Sequence, residues 1–394
     1  MVKDHRNITR IQNKKLVLQQ LFNNPETSRA EIARQLSLNK STVSSIYTEL
    51  KGDGFTHELR QGESTSSGGR KPDMICLNRN YGFVASFNIG TTYMASMFNY
   101  VNGEIIQYNR QPIKEFDILN IMQMIETNIK QMEDLNNTVH GLLAIGFSIH
   151  GVVNDNQVVD SPFLKLNGID LEEYFRNEFK VPVLLENEAN LSAVFENDYN
   201  VGTRIKDLIV ISVHRGIGAG VIANHSLYHG YRGLAGEIGR TMIANNDPDS
   251  SSRQLVKVES LCSEDAIINQ VKQAKALSTI SPQQLLDLYQ SDDEVRAIFD
   301  RDIKLLAEVT YNSIVAYGPE RVYFNATLFE DIPKEFKKLK HYLVEMGITV
   351  PIQMIKGSRM TSLFGIASLA IRRALGLDHY QLKFRWPREV QNVD

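Results

Sequence analysis

The sequence predicts an α/β protein with a winged helix-turn-helix at its N-terminus, and three observations support this. Residues 28–50 contain two short helical patterns joined by a tight polar connection, which is typical of a helix-turn-helix. Within residues 55–78, two strand-like segments flank a glycine- and serine-rich tip, as in a wing. From Tyr81 onward, β-rich hairpins alternate with amphipathic helices. A chain of 394 residues with 42% hydrophobic content is also long and apolar enough to form two or three domains.

The first helix of the pair is predicted to begin after Ser28. Glu31 follows three residues later, which is the spacing of a capping box. Ala30, Ala33 and Leu36 then fall on one side, and the small Ala33 would let a second helix approach closely.

The second helix is predicted to follow Asn39 as its N-cap, with Val43, Ile46, Tyr47 and Leu50 as its buried stripe. Small polar and basic side chains at its start suit the major groove and the phosphates of double-stranded DNA. The candidate DNA-binding residues here are Arg29, Asn39, Lys40, Ser41, Thr42, Ser44 and Ser45. The alternative is an ordinary solvated helix pair.

The segment after this helix is predicted to form the wing. FTHEL and DMICLN flank the tip QGESTSSGGRKP, which carries Arg70 and Lys71 as further candidates, with Arg60 nearby. Basic side chains on such a tip can reach a minor groove or a phosphate strand. The alternative is a flexible linker.

The distribution of charge supports the nucleic-acid interpretation. Residues 1–72 hold 12 Lys and Arg against 7 Asp and Glu, a balance of +5, whereas the whole chain carries −3 and the remainder therefore −8. The excess is modest, so DNA affinity is expected to depend on dimeric binding and salt.

The composition argues against membrane and disulfide-rich classes. MVKDHRN has no apolar segment of signal-peptide type, and GLLAIGFSI is too short to span a bilayer. Cys76 and Cys262 are too far apart in sequence for a clustered zinc site. We expect a cytoplasmic protein with no membrane partner.

Four motifs carry a resemblance to a known family: SSGGRKP at 66–72, ENEAN at 186–190, GIGAG at 216–220 and GLAGEIG at 233–239. In this order they resemble the ROK family of sugar kinases and sugar-responsive repressors, over nearly the whole chain. The winged front end matches the repressor branch. Within that branch, NKSTVSS and ENEAN are most similar to the xylose-operon repressors of Gram-positive bacteria.

The resemblance implies a winged helix-turn-helix followed by an actin-like, ribonuclease H-like sugar kinase fold, with a ligand cleft between two lobes. We expect a DNA-binding domain at 1–75, a first lobe at 80–190, and a second lobe with the C-terminal helices at 191–394.

The nucleotide side departs from the kinases of that family. Asn88 stands where the D-x-G-G-T loop has its leading carboxylate, and His214-Arg215 precedes the second glycine loop in place of a threonine. Asn325-Ala326 replaces a Gly-Gly pair near the adenine pocket. Phosphoryl transfer needs a phosphate loop and an acidic group that organises the metal, and an Arg at 215 could itself occupy the phosphate site.

The residues that correspond to the family's sugar-binding site match the family pattern better than those at the nucleotide site. Asn187 and Glu188 correspond to the sugar-binding Asn and the catalytic Asp of the family, and Glu237 and Glu259 match two further sugar ligands. Carboxylates and amides can accept several neighbouring hydroxyl groups. Glu188 in place of Asp would crowd a hexose more than a pentose. The alternative is that these are structural or surface side chains, above all for Glu259.

The family's structural zinc site is not kept. Arg240 stands at the position of its histidine, and Ser250, Ser252 and Lys257 stand where cysteines are expected, so we expect no metal. Arg240 is the remaining candidate ligand contact, and a cation there could recognise an acidic or phosphorylated sugar as readily as a neutral one.

The resemblance and these departures together lead us to expect a repressor that binds a palindromic operator as a homodimer. A monosaccharide, xylose or a related sugar, is expected to release it. We expect no cofactor, no catalytic residue and no enzymatic activity. The alternatives are a sugar kinase with a DNA-binding extension, and a repressor that responds to an acidic or phosphorylated sugar or to a protein partner.

Overall fold

The structure is a computed structural model that describes residues 2–62, 71–90, 92–113, 117–162, 164–200, 205–245, 254–355 and 357–385. The chain divides into two compact units. The first unit comprises Met1–Glu186 with Leu363–Asp394, and the second comprises Asn187–Ser362. Within the described ranges, no helix has both the length and the apolar character that crossing a membrane requires.

The first unit begins with three helices and a small antiparallel sheet of order β1-β3-β2. These elements are α1 (Val2–Asn23), β1 (Thr27–Ser28), α2 (Arg29–Gln35), α3 (Lys40–Gly52), β2 (Thr56–Gln61) and β3 (Asp73–Leu77). Both predicted helices of the pair and both predicted strands are therefore confirmed. Helix α1 has no counterpart in the sequence predictions, and it buries Val17, Leu18, Leu21 and Phe22 near its end.

The predicted caps are confirmed in position, but their hydrogen bonds differ. Ser28 Oγ accepts a hydrogen bond from the backbone N–H of Glu31 over 3.2 Å. The Glu31 carboxylate pairs with Arg34 and Gln35, which lie on its own helix, instead of completing a capping box. Asn39 occupies the N-cap of α3 without a side-chain cap hydrogen bond.

The buried stripe predicted for α3 is confirmed, and α2 buries two of its residues. All four residues of the predicted α3 stripe are buried. On α2, Ile32 and Ala33 are buried while Ala30 is exposed. Ala30 lies one residue into the helix, at the rim of a surface groove.

The rest of the first unit is built on a five-stranded sheet of order β10-β7-β4-β5-β6, in which β4 pairs antiparallel with β5 and parallel with β7. Its elements are β4 (Phe83–Ile89), β5 (Tyr93–Tyr100), β6 (Ile105–Pro112), α4 (Ile118–Leu135), β7 (Leu142–Ile149), β8 (Val152–Asn154), β9 (Gln157–Asp160), α5 (Leu171–Phe179) and β10 (Val183–Asn187). Phe83, Phe87, Phe147 and Phe175 fill its core. The β-rich hairpins predicted from Tyr81 onward are confirmed by β4, β5 and β6.

The second unit has its own five-stranded sheet, of order β13-β12-β11-β16-β17. Its strands are β11 (Leu208–Val213), β12 (Ile217–Ala223), β13 (Ser226–Leu227), β14 (Met242–Asn245), β15 (Gln254–Lys257), β16 (Arg321–Asn325) and β17 (Ile352–Met354). Its helices are α6 (Glu188–Tyr199), α7 (Glu259–Cys262), α8 (Glu264–Ala274), α9 (Pro282–Ser291), α10 (Asp293–Tyr317), α11 (Thr327–Asp331) and α12 (Pro333–Glu345). Helix α13 (Thr361–Leu375) begins here and continues into the first unit.

The units differ from the predicted lobes at the C-terminus. The sequence interpretation assigned 191–394 to one lobe, whereas Leu363–Asp394 belongs to the first unit. The physical reason is a close approach, because a Cβ on Gly146 of β7 would lie 2.4 Å from Ile366 Cγ1 of α13. The glycine leaves room for the helix against the first sheet.

Candidate functional site

A groove of about 350 Å³ lies where the starts of α2 and α3 meet the start of β3. The cationic side chains of Arg29, Lys40 and Lys71 line it, and Ser44 adds a hydroxyl group. The other lining residues are Ser28, Ala30, Pro72 and Asp73. We call it the basic groove, and it brings together four of the residues predicted to bind DNA.

The remaining predicted DNA-binding residues lie beside the basic groove or outside the described residues. Asn39, Ser41 and Ser45 are exposed around the first turns of α3, and Thr42 is partly buried. Arg70 lies outside the described residues. The exposed start of α3 and the basic groove therefore form one polar surface.

Arg29 is held in place by two neighbours that the sequence interpretation did not consider. Its Nη2 donates to Asp73 Oδ2 over 3.0 Å, and its guanidinium lies 5.4 Å from the centre of the Tyr47 ring. Arg60, the other basic residue of the predicted wing, pairs instead with Glu26 over 2.6 Å. The pairing of Asp73 with Arg29 links residues 44 positions apart, which local sequence patterns cannot reveal.

Asn187 has a structural role at the start of the second unit. It is the N-cap of α6, and its Oδ1 accepts hydrogen bonds from the backbone N–H groups of Ala189 and Asn190 over 2.8 and 3.1 Å. The side-chain oxygen of Asn187, which was predicted to accept hydrogen bonds from a ligand, thus caps the helix that carries Glu188.

Glu188 lies at the centre of a polar cluster. Its Oε1 accepts a hydrogen bond from Asn325 Nδ2 over 3.1 Å and lies 3.3 Å from Ser192 Oγ and 3.8 Å from His214 Nε2. Asn325 Nδ2 also lies 2.9 Å from Ser192 Oγ and 3.2 Å from Thr361 Oγ1. We call these five residues the Glu188 cluster, and only Glu188 was predicted as a ligand contact.

His214 is the basic member of this cluster. Its Nδ1 lies 3.9 Å from Glu264 Oε2, on the opposite side of the ring from Glu188. Burial opposes protonation, but the nearby carboxylates of Glu264, Glu188 and Glu330 outweigh it and raise the pKa of His214. The charges around His214 therefore favour its protonated form.

The other predicted sugar ligands lie on the segments that pack against β12. Arg240 Nε lies 2.7 Å from Glu237 Oε2, one turn apart on a short helical segment. A Cβ on Gly216 or on Gly239 would lie 2.9 or 3.1 Å from Glu259 Oε2. Both glycines thus leave space for this carboxylate.

The residues that depart from the kinase pattern have identified side-chain partners. Asn88, which replaces the leading carboxylate, has its Oδ1 3.2 Å from His150 Nε2. Arg215 was expected to be able to fill a phosphate site, and its Nε instead donates to Asp265 Oδ2 over 3.0 Å. Asn325, which stands in place of the Gly-Gly pair, is fully buried and donates a hydrogen bond to Glu188.

The residues at the family's zinc position do not suit a metal. Arg240 faces Glu237, and Lys257 Nζ lies 4.0 Å from Glu259 Oε1, so two cations occupy ligand positions. Ser250 and Ser252 lie outside the described residues. In the parts of the chain that the structure describes, no three His, Cys, Asp or Glu side chains cluster closely enough to bind an ion.

Comparisons with known proteins agree with the resemblance seen in the motifs. The model of the ROK family matches residues 84–372. The xylose repressor of Lactiplantibacillus pentosus is 40% identical over 390 residues, with 97% of this chain and 99% of that protein covered. The xylose repressor of Staphylococcus xylosus is 31% identical, with 95% and 98% covered.

A solved structure is similar over almost the same length. It is a ROK family transcriptional regulator described as a homologue of the E. coli MLC protein, with a TM-score of 0.73 and 17% identity. The match covers 93% of this chain and 98% of that chain, and at this identity it establishes the fold alone. On the family model and the two relatives, this chain belongs to the ROK family.

Proposed function

We propose that this protein is a transcriptional repressor that binds operator DNA and is released by a monosaccharide, xylose or a related pentose. The basic groove is the observation that carries the proposal, because it joins three cations to the exposed start of a helix. Cations at such a place bind phosphates and set the register, while the side chains at the start of α3 reach base edges. The first elements of the chain, α1 to β3, are thus proposed to be a winged helix-turn-helix.

The relatives support both halves of this proposal. Each is named a xylose repressor and matches almost all of this chain, including the segment with the basic groove. We infer that the reading heads act as a homodimer on a palindromic operator. Two half-sites then lie one helical turn or a multiple apart, roughly 34 to 36 Å per turn.

The effector is proposed to be a neutral sugar held by Glu188, Glu237 and Glu259. Carboxylates suit vicinal hydroxyl groups, because each oxygen accepts more than one hydrogen bond. The sugar must bind the DNA-free state more tightly, and linkage then requires that operator weakens sugar binding by the same factor.

We further propose that the chain is not a kinase. Glu188, which would serve as the catalytic base, accepts a hydrogen bond from Asn325 at Oε1, and this oxygen lies 3.8 Å from His214 Nε2. Asn88 offers no carboxylate to a metal. A coupled ADP-release assay over a sugar panel tests this, and turnover that disappears in Glu188→Ala would overturn it.

The main experiment selects a duplex from random double-stranded DNA and measures its binding by fluorescence anisotropy, with and without D-xylose. We expect tight binding at low salt, weakening with salt, and release by xylose. Lys40→Ala should lose about tenfold in affinity, while Arg34→Ala, an exposed α2 residue outside the groove, should change little. Failure to select any duplex at low salt would overturn the proposal that the protein binds operator DNA. If no sugar releases the bound duplex, the proposal that a monosaccharide is the effector is wrong.

A further inference from the structure

The Glu188 carboxylate is held through one of its two oxygens. Asn325, Ser192 and His214 all approach Oε1, at 3.1, 3.3 and 3.8 Å. No residue of the described ranges approaches Oε2 in this way. Only 12% of the side chain is exposed, so the carboxylate is fixed and largely shielded while one oxygen remains for a ligand.

His214 joins this carboxylate to a second one. Its Nε2 faces Glu188 and its Nδ1 faces Glu264, at 3.8 and 3.9 Å. Glu264 is itself held, because its Oε2 accepts a hydrogen bond from Thr327 Oγ1 over 2.8 Å. Its backbone N–H also donates to the carbonyl oxygen of His214 over 2.9 Å. The imidazole ring therefore lies in a fixed position between α6 and α8.

The charges around His214 favour a protonated ring. Glu188 of α6, Glu264 of α8 and Glu330 of α11 all act on His214. The neighbouring Arg215 has its charge opposed by Asp265. A neutral imidazole could donate to only one of the two flanking carboxylates, whereas an imidazolium can face both as a donor.

We propose that His214 is a positioning residue for the sugar site, holding Glu188 through Oε1 so that Oε2 is presented to the hydroxyl groups of a neutral sugar. This rests on the proposed function and adds to it the residue that makes Glu188 a fixed acceptor. The imidazolium also compensates the carboxylate charge, which lowers the cost of shielding Glu188 from water.

Titration of D-xylose by calorimetry from pH 5.5 to 9 tests this, with wild type, His214→Gln, Glu264→Gln and the control His341→Gln. His341 is an exposed residue of α12 that faces Glu345. Wild type should bind xylose more weakly as pH rises through the titration of His214, by about tenfold in total. His214→Gln should bind xylose about tenfold more weakly than wild type at low pH, and its affinity should no longer fall with this titration. His341→Gln should match wild type.

Glu264→Gln keeps His214 and Glu188 in place and removes one carboxylate from the ring. In this variant the pH-dependent fall in xylose affinity should move to lower pH, because the imidazolium loses a stabilising charge. Glu196, on the same helix as Glu188, titrates in all variants. The contribution of His214 is therefore the difference between the pH profiles of xylose affinity in wild type and in His214→Gln.

The outcomes separate the two proposals. If wild type binds xylose and His214→Gln binds equally with the same pH profile, the positioning role is wrong while the proposed function stands. A fall in xylose affinity at the same pH in Glu264→Gln as in wild type would also refute it. If wild type binds no sugar of the panel, the effector half of the proposed function fails, and this inference fails with it.

Discussion

Arg240 Nε lies 2.7 Å from Glu237 Oε2, so two of the side chains expected to contact a ligand are paired with each other. Both side chains are partly exposed, at 34% and 24%. The pair leaves Arg240 with its charge opposed, which bears directly on whether the site takes a neutral or an acidic sugar.

We predict that wild type prefers D-xylose to xylose 5-phosphate, because a phosphate would have to displace Glu237 from Arg240. Glu237→Gln should remove the carboxylate charge that opposes this guanidinium and shift the ratio of the two affinities toward the phosphorylated sugar by about tenfold. Isothermal calorimetry with both sugars measures this ratio. Tighter binding of the phosphorylated sugar by wild type would contradict the prediction and favour the acidic-effector alternative.

Gly220→Ala should destabilise the second unit and disturb the Glu188 cluster. A Cβ at Gly220 of β12 would lie 2.2 Å from the carbonyl oxygen of Ala189, so α6 must shift. We expect a loss of roughly 1 to 3 kcal/mol in the free energy of unfolding, with weaker sugar binding.

Gly52→Ala is the matched control for this change. A Cβ at Gly52, at the end of α3, meets nothing within 4 Å, and this variant should unfold at or above the wild-type temperature. Thermal unfolding followed by circular dichroism compares the two. Equal midpoints for Gly220→Ala and wild type would show that α6 does not depend on this close approach.

Local patterns were enough to predict the elements, because strand alternation and helix periodicity are properties of neighbouring residues. They placed β4, β5 and β6 and the buried stripe of α3. They missed the partners of the site residues, because these partners are distant in sequence. Asn325 lies 137 positions from Glu188, and Asp73 lies 44 positions from Arg29. Such pairs depend on how sheets and helices pack, which no local pattern records.

Family motifs supplied positions but not side-chain geometry. Glu188 was found through the ENEAN motif, yet the motif could not show that its Oε1 faces His214. His214 was noted only as a departure from a nucleotide loop. The signal that could have found its role is the histidine itself, a basic residue in place of a neutral threonine in a chain whose predicted sugar ligands include three carboxylates.

Arg29 is predicted to be a phosphate contact whose strength is limited by Asp73. Arg29→Ala should weaken operator binding about tenfold and reduce the slope of log affinity against log salt by about one. Asp73→Asn should have the opposite effect and strengthen binding to non-specific duplex, because a carboxylate leaves the basic groove.

Anisotropy titrations at several salt concentrations measure both effects. Arg34→Ala is the control, since Arg34 lies on the same helix, pairs with Glu31 and does not line the groove. An unchanged salt slope in Arg29→Ala would show that this guanidinium meets no phosphate.

Glu196 makes the stability of the second unit depend on pH. Its side chain is buried on α6, with hydrogen bonds to Asn200 and Tyr323, and burial raises its pKa from 4.5 to about 8. The folded protein therefore holds this proton more tightly than the unfolded chain. Linkage then requires that the free energy of unfolding falls as pH rises from about 4.5 to about 8.

Glu196→Gln removes this proton while keeping the shape of the side chain. Relative to wild type, we expect the variant to gain stability between pH 5 and pH 8.5, by on the order of 3 kcal/mol. Urea unfolding at several pH values measures the difference. Glu345→Gln, a change at an exposed position of α12, should show no such trend, and a Glu196→Gln difference that stays constant with pH would mean that Glu196 is already ionised in the folded protein.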